Sequence, residues 1–275
     1  HLFPMEQEPL FWIHLNVDYP FHLKGILYFP KMKKNYAPNN LGVKLFCNNV
    51  FVTDSCKDIL PEYLTMLRGC IDSPDIPLNV SRSSLQMDRT VRQLSTHISK
   101  KVSDRLTSLW NTDKEKFIKC WEDIEIIVKL GIVQDDKFYD RVKKACIWKN
   151  FNNDEWTTVE EYKERNKEKT QDKVFYFTED NPDHPFIAMY KKQGIEVLRA
   201  TCPVDSHLMS YLEGKLAPLE FIRVDGDIHD AVLDKSKEQT LLDKDGKTGA
   251  SKLADFVRSN LKMANVEVEA KSLAS

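Results

Sequence analysis

The chain has 275 residues, 41% of them hydrophobic and 30% charged, with a formal net charge of -2. That is enough for two domains or one large one with an ample core, and the near-balance of charge gives no electrostatic case for nucleic acid or an anionic membrane as a partner. No long uncharged apolar run is present, which argues against a transmembrane helix, and no signal peptide is legible.

Leu10 to Val17 alternates imperfectly and is rich in aromatic and branched residues, and Gly25 to Phe29 is a second short apolar run closed by Pro30. Lys31 to Asn40 reads as a polar loop. Val43–Phe46 and Val50–Val52 read as a strand pair joined by the turn-prone Asn48–Asn49. Leu60, Tyr63, Leu64 and Leu67 then fit one face of a helix, with Gly69 as its stop.

The next stretch, Ile76-Pro77-Leu78-Asn79-Val80-Ser81-Arg82-Ser83-Ser84-Leu85-Gln86, combines a loop with a helix start. Pro77 cannot lie inside a helix and biases Ile76 towards an extended conformation. From Leu85 the apolar residues Val91, Leu94, Ile98, Val102, Leu106 and Leu109 form one stripe of a long amphipathic helix. Arg82 therefore precedes a helix on a pinned loop, where its guanidinium is a fixed, always-charged fork suited to phosphate oxygens. An ordinary surface pairing with Asp88 or Glu62 is the plainer use of Arg82. Ser83-Ser84-Leu85-Gln86 is itself a capping box, in which Gln86 closes the helix start.

From Thr112 the texture becomes helical. Phe117, Trp121, Ile124 and Val128 mark one helix, ended by Gly131, and Phe138, Val142 and Ala145 begin another that runs to about Asn150. Thr158-Val159-Glu160-Glu161 is a capping box before a charged helix. Val174–Phe177 is a strand, Pro185–Lys192 a helix stopped by Gly194, and Ile195–Leu198 the next strand, so a βαβ unit is expected. It lacks a glycine-rich turn, since Thr178-Glu179-Asp180-Asn181 is acidic, and this counts against a free-standing small-molecule enzyme. Phe221–Val224 reads as a last strand. Asp243-Lys244-Asp245-Gly246 is a turn rather than a calcium loop, because Leu241 and Lys252 stand where ligands would be needed. A helix with Leu253, Phe256, Val257 and Leu261 and an alternating Val266–Ala270 close the chain.

The expected organisation is thus an α/β unit over residues 1–110, a helical connector over 111–153, a smaller α/β unit over 154–225, and a linker with further elements over 226–275. Cys47, Cys56, Cys70, Cys120, Cys146 and Cys202 show no C-x-x-C spacing, so neither a metal site nor a disulfide is expected. Asp205-Ser206-His207 brings the residue types of a hydrolase together, but sequence neighbours rarely converge on one reacting atom. Opening on His1 rather than methionine, the chain reads as a piece of a longer protein.

The loop also carries a family likeness. Leu78-Asn79-Val80-Ser81-Arg82 with Gln86 resembles the catalytic loop in the middle domain of the heat-shock protein 90 chaperones. Pro9–His14, Gly25–Pro30, Phe51–Asp54, Leu60–Leu64, Arg68-Gly69, Lys137–Asp140, Thr158–Tyr162 and Lys192–Leu198 fit as well, most closely the bacterial HtpG-type branch. The resemblance implies an α/β (α+β) fold whose first unit is like ribosomal protein S5 domain 2 and whose end begins an α+β C-terminal domain. It implies that Arg82 contacts the γ-phosphate of ATP held, with Mg, by an N-terminal domain outside this sequence. It also implies that Gln86 helps order the attacking water or the surrounding contacts, and that Leu78, Asn79 and Ser81 form the interdomain loop. The segment itself should need no cofactor. The implied partners are that N-terminal domain and unfolded clients, met near Val204–Leu212 by His207, where relatives often carry tryptophan, and by Met209, which ordinary core packing would explain equally. A cytoplasmic location and a full-length homodimer are implied too, with this segment monomeric by itself. The alternative is an ATP-independent protein-binding module with no catalytic role for Arg82.

Overall fold

The computed structural model describes residues 8–31, 42–54, 56, 59–76 and 89–226. In chain order its strands are β1 (Phe11–Val17), β2 (Leu23–Phe29), β3 (Val43–Cys47), β4 (Val50–Thr53), β5 (Arg68–Asp72), β6 (Trp148–Asn150), β7 (Trp156–Thr157), β8 (Lys173–Phe177), β9 (Val197–Arg199) and β10 (Glu220–Arg223). The helices are α1 (Arg89–Thr112), α2 (Lys114–Gln134), α3 (Asp136–Val142), α4 (Val159–Thr170), α5 (Pro185–Lys192) and α6 (Asp205–Leu216). The fold is α/β, with two mixed sheets. No helix among the described residues is long and apolar enough to cross a membrane. The chain divides into two compact units, one reaching to Ile147 and including Cys202–Lys215, the other running over Trp148–Thr201 and on from Leu216.

The first unit is built on a sheet of order β1-β2-β5-β3-β4. Alternation places Phe11, Ile13 and Leu15 inward while Trp12, His14 and Asn16 face out, as a period of two requires. The β3–β4 hairpin forms as the sequence indicates: Asn48 and Asn49 both take positive φ, 50° and 64°, the conformation a tight two-residue hairpin turn needs. α1 packs on β1 and buries Val91, Leu94, Ile98, Val102, Leu106 and Leu109, the stripe read from the sequence. α2 likewise buries Phe117, Trp121, Ile124 and Val128.

Three elements differ from expectation. The helix over Leu60–Leu67 is only a single 3-10 turn, Glu62–Leu64, and Gly69 lies inside β5 instead of ending a helix. The reason is packing between strands. Gly69 has φ +137°, and a Cβ there would come within 2.0 Å of the Ile26 carbonyl oxygen, so only glycine lets β5 close against β2. Gly131 does not end α2, which continues to Gln134. It is a close-approach site, where a Cβ would meet the Phe138 ring at 2.7 Å and Tyr63 at 2.9 Å. Asp135 then caps α3, accepting from the Lys137 and Phe138 backbone N–H groups. Trp148–Asn150 is a strand rather than the end of a helix.

The second unit has the sheet order β10-β8-β9-β6-β7. β8 runs parallel to both β9 and β10 and buries Val174 through Phe177. β8, α5 and β9 make the expected βαβ unit around Phe175, Phe177, Ile187, Tyr190 and Val197. α4 opens on the capping box of Thr158 and Glu161, both halves formed. Gly194, at φ +64°, closes α5 in the left-handed conformation.

Candidate functional site

Leu78, Asn79, Ser81, Arg82 and Gln86, the residues of the expected catalytic loop, lie outside the described residues, as does the tail beyond Gly226 with its expected helix and strand. What the structure does describe is the chain on each side of that loop. β5 is the middle strand of the first sheet, antiparallel to β2 and parallel to β3. Its C-terminal end runs through Ser73 and Asp75 to Ile76, and on the far side α1 begins at Arg89.

The approach is held at several points. Ser73, fully buried, donates from its backbone N–H to the Phe46 carbonyl at 3.2 Å and from Oγ to the His22 carbonyl at 2.6 Å. The His22 backbone N–H donates to Asp75 Oδ2 at 2.6 Å, and His22 Nδ1 lies 3.2 Å from the same oxygen. These contacts, the backbone N–H first, hold the Asp75 carboxyl below the usual carboxylate range. Ile76, 4% exposed, buries the chain at the start of that segment.

A second polar centre joins the 3-10 turn to α1 and the start of α3. The Tyr63 hydroxyl and Ser99 Oγ lie 2.7 Å apart and each lies 3.2 Å from Asp135 Oδ2, so two hydroxyl protons are shared among three contacts, with the carboxylate accepting. Burial and then the neighbouring Asp135 push the Tyr63 phenol well above its ordinary value, with the Ser99 bond opposing. Beside it lies a cavity of about 500 Å³ lined by Ser99, Asp135, Lys137 and Arg141 among others.

The third centre sets α6. Lys129, 1% exposed, reaches Asp205 Oδ1 at 2.8 Å and Glu125 Oε2 at 3.2 Å. Burial would lower the Lys129 pKa, but Asp205 and then Glu125 reverse that, and the net shift is upward, so the ammonium stays charged. Asp205 Oδ2 also accepts from the Cys202 backbone N–H at 2.9 Å. Burial pushes the Cys202 thiol up to about 11, which keeps it protonated and unreactive. The carboxylate next to Ser206 and His207 is therefore committed to holding a helix, and a hydrolase trio is not assembled. Further along α6, Tyr211 donates to Asp136 Oδ1 at 2.6 Å and Lys215 Nζ lies 2.9 Å from it. His207 is exposed, whereas Met209 is 1% exposed and belongs to the core, so it offers no surface to a client.

Neither the interstrand role of β5 nor the Lys129–Asp205 pair is legible in the sequence. The first was hidden because Gly69 carries a helix-stop signal, the second because the partners lie far apart in sequence. All six cysteines are free. Among the described residues no group of three or more His, Cys, Asp or Glu side chains is arranged to hold a metal ion.

Comparison with known proteins bears on this arrangement. The family model described as Hsp90 protein matches residues 2–273. The chaperone protein HtpG of Bacteroides fragilis is 45% identical over 244 residues, 87% of this chain and 36% of the relative. HtpG of Porphyromonas gingivalis is 43% identical over 231 residues, 82% of this chain and 34% of that protein. HtpG of Bdellovibrio bacteriovorus is 32% identical over 248 residues, covering 87% and 40%. The chain thus spans between about a third and two fifths of the length of these relatives. Among solved structures, the middle domain of a Plasmodium falciparum protein described as a heat shock protein has the same fold, with a TM-score of 0.62 at 23% identity, covering 81% of this chain and 90% of that one. The chain belongs to the Hsp90 family of chaperones, as a middle domain of the HtpG type.

Proposed function

We propose that this chain works as the middle segment of an ATP-dependent chaperone and delivers Arg82 to the γ-phosphate of ATP, bound with Mg by an N-terminal domain. The motif Leu78–Arg82 with Gln86 supports this, and so does one structural observation: the chain entering the motif leaves the middle strand of a sheet, held by a buried serine and a buried isoleucine. A cationic fork presented from such a base and brought in by domain docking would stabilise charge on the transferring phosphoryl group chiefly in the closed state. Gln86 would order the water or the contacts around it, and Leu78, Asn79 and Ser81 would form the surface that meets the nucleotide domain. Unfolded proteins would be the clients, with His207 on α6 as one contact. Dimerisation would fall to the C-terminal domain.

A second reading, ATP-independent holding of unfolded chains, has an observation of its own. On the outward face of the first sheet, Trp12 is 59%, Ile26 37% and Phe51 54% exposed; register pairs Phe51 with Phe46 but sets Trp12 beside Tyr28 and Ile26 between His14 and Cys70, so the apolar groups are spread over the face. Nucleotide-dependent client release separates the two. The chain alone should show no micromolar binding of magnesium-ATP, and the full-length protein should release a denatured client on ATP addition. Client release indifferent to nucleotide would favour the holding module.

A further inference from the structure

The Asp18–His22 turn between β1 and β2 touches the chain on both sides of the catalytic segment. On the entering side, the His22 backbone is used twice: its carbonyl accepts from Ser73 Oγ at 2.6 Å and its N–H donates to Asp75 Oδ2 at 2.6 Å. On the leaving side, the ring of Phe21, 5% exposed, meets the His97 ring of α1 edge-on at 5.6 Å. Burial, followed by Lys101 and Lys100 and only partly opposed by Asp104, lowers the His97 pKa, which favours the neutral ring that suits an aromatic neighbour.

We infer that Phe21, His22, Ser73 and Asp75 are positioning residues for Arg82: the turn fixes where the chain enters residues 77–88 relative to the helix that follows them. The inference rests on the proposed role of Arg82. An arginine that acts by reaching a phosphoryl group is sensitive to small errors of placement, because stabilisation of the transition state falls steeply with misalignment. The clamp uses backbone groups of His22, which no side-chain substitution there removes, so its variable parts are Asp75 and Ser73. The His22 ring adds little, since its contact with Asp75 is exposed. Asp75 touches neither nucleotide nor client in this scheme.

The test is steady-state ATPase of the full-length protein carrying Asp75→Ala, Arg82→Ala and the pair, with kcat and KM for ATP resolved. Asp75→Ala is expected to lower kcat about fivefold, the worth of one solvent-exposed hydrogen bond, with KM nearly unchanged. In an Arg82→Ala background it should cost nothing further, because the residue acts through Arg82. Asp75→Asn keeps an acceptor for the His22 N–H and should recover most of the loss. It also carries the test if Asp75→Ala proves poorly folded, since a full loss in a folded Asp75→Asn would then contradict the inference. An unchanged kcat in Asp75→Ala beside a slow Arg82→Ala would overturn the clamp and leave the arginine's role intact. Equal losses in both backgrounds would make Asp75 merely structural and overturn it too. Normal turnover in Arg82→Ala would remove the proposed function, and the clamp's purpose with it.

Discussion

Each unit sends the C-terminal end of an interior strand into a connection that leads to a helix, β5 towards α1 and β8 towards α5. The two connections differ in that only the first carries a cation. After β8 come Glu179, Asp180 and Asp183, and the connection closes on itself: the Asp183 N–H donates to Asn181 Oδ1 and His184 caps α5. After β5 comes a connection with one cation, Arg82, flanked by Asp75 and Asp88, and its approach is tied to the neighbouring β1–β2 turn by Ser73 and Asp75. The strand-to-helix topology common to nucleotide-binding folds is therefore present where the side chains repel phosphate. The arginine suited to phosphate sits behind a different kind of connection. Topology supplies a place, and the residues decide whether an anion is welcome.

The largest expected change affects neither connection directly. Lys129→Ala would take the neighbouring ammonium from the buried Asp205 carboxylate and should cost about 3–5 kcal/mol, read as a shift in the denaturation midpoint. A smaller loss would mean that water reaches the pair. Gly69→Ala strikes the strand behind the Arg82 segment. Its Cβ would collide with the Ile26 carbonyl, and a cost of about 3 kcal/mol is expected in the same measurement, against roughly 1 kcal/mol for Gly194→Ala in the second unit, where only the Lys169 ammonium and a positive φ stand in the way. Equal costs would erase the distinction between a packed strand and a helix stop. Thr158→Ala, which removes one half of the capping box on α4, should cost about 1 kcal/mol.

Smaller still is the acid response. Asp75 in the first unit and Asp225 in the second both titrate below the ordinary carboxylate value, held down by the His22 backbone N–H and by Arg223 respectively. A folded pKa below the unfolded one contributes stability above the unfolded value, and that contribution is lost as pH falls through the folded pKa. Asp75→Ala should therefore flatten part of the acid limb of a stability-versus-pH curve, and Arg223→Ala should flatten another part. An acid limb unchanged in both would show that neither contact persists in solution.

The sequence made visible what local periodicity controls. The stripe from Val91 to Leu109, the Asn48–Asn49 hairpin, the Thr158–Glu161 cap and the α5 boundaries all depend on residues a few positions apart. β5 was not legible, because a glycine beside two leucines reads as a helix end until β2 and β3 are known to flank it. α6 was equally hidden: Asp205 looks like part of a catalytic trio until Lys129, on a distant helix, is seen to hold it. The candidate site was legible as a motif, Leu78 to Gln86, and not as a setting. The clamp on it is made by backbone atoms of His22 and a buried Ser73 hydroxyl, neither of which leaves a mark on composition or spacing.

The central claim, that Arg82 serves ATP turnover, is tested most directly by one substitution in two contexts. In the isolated chain Arg82→Ala should change stability by no more than ~0.5 kcal/mol. In the full-length protein it should lower steady-state ATPase on the order of 10²–10³-fold with little change in ATP affinity, and Arg82→Lys should restore little, since an ammonium lacks the planar fork. Near-normal turnover in Arg82→Ala would contradict the claim and return Arg82 to the ordinary surface arginines.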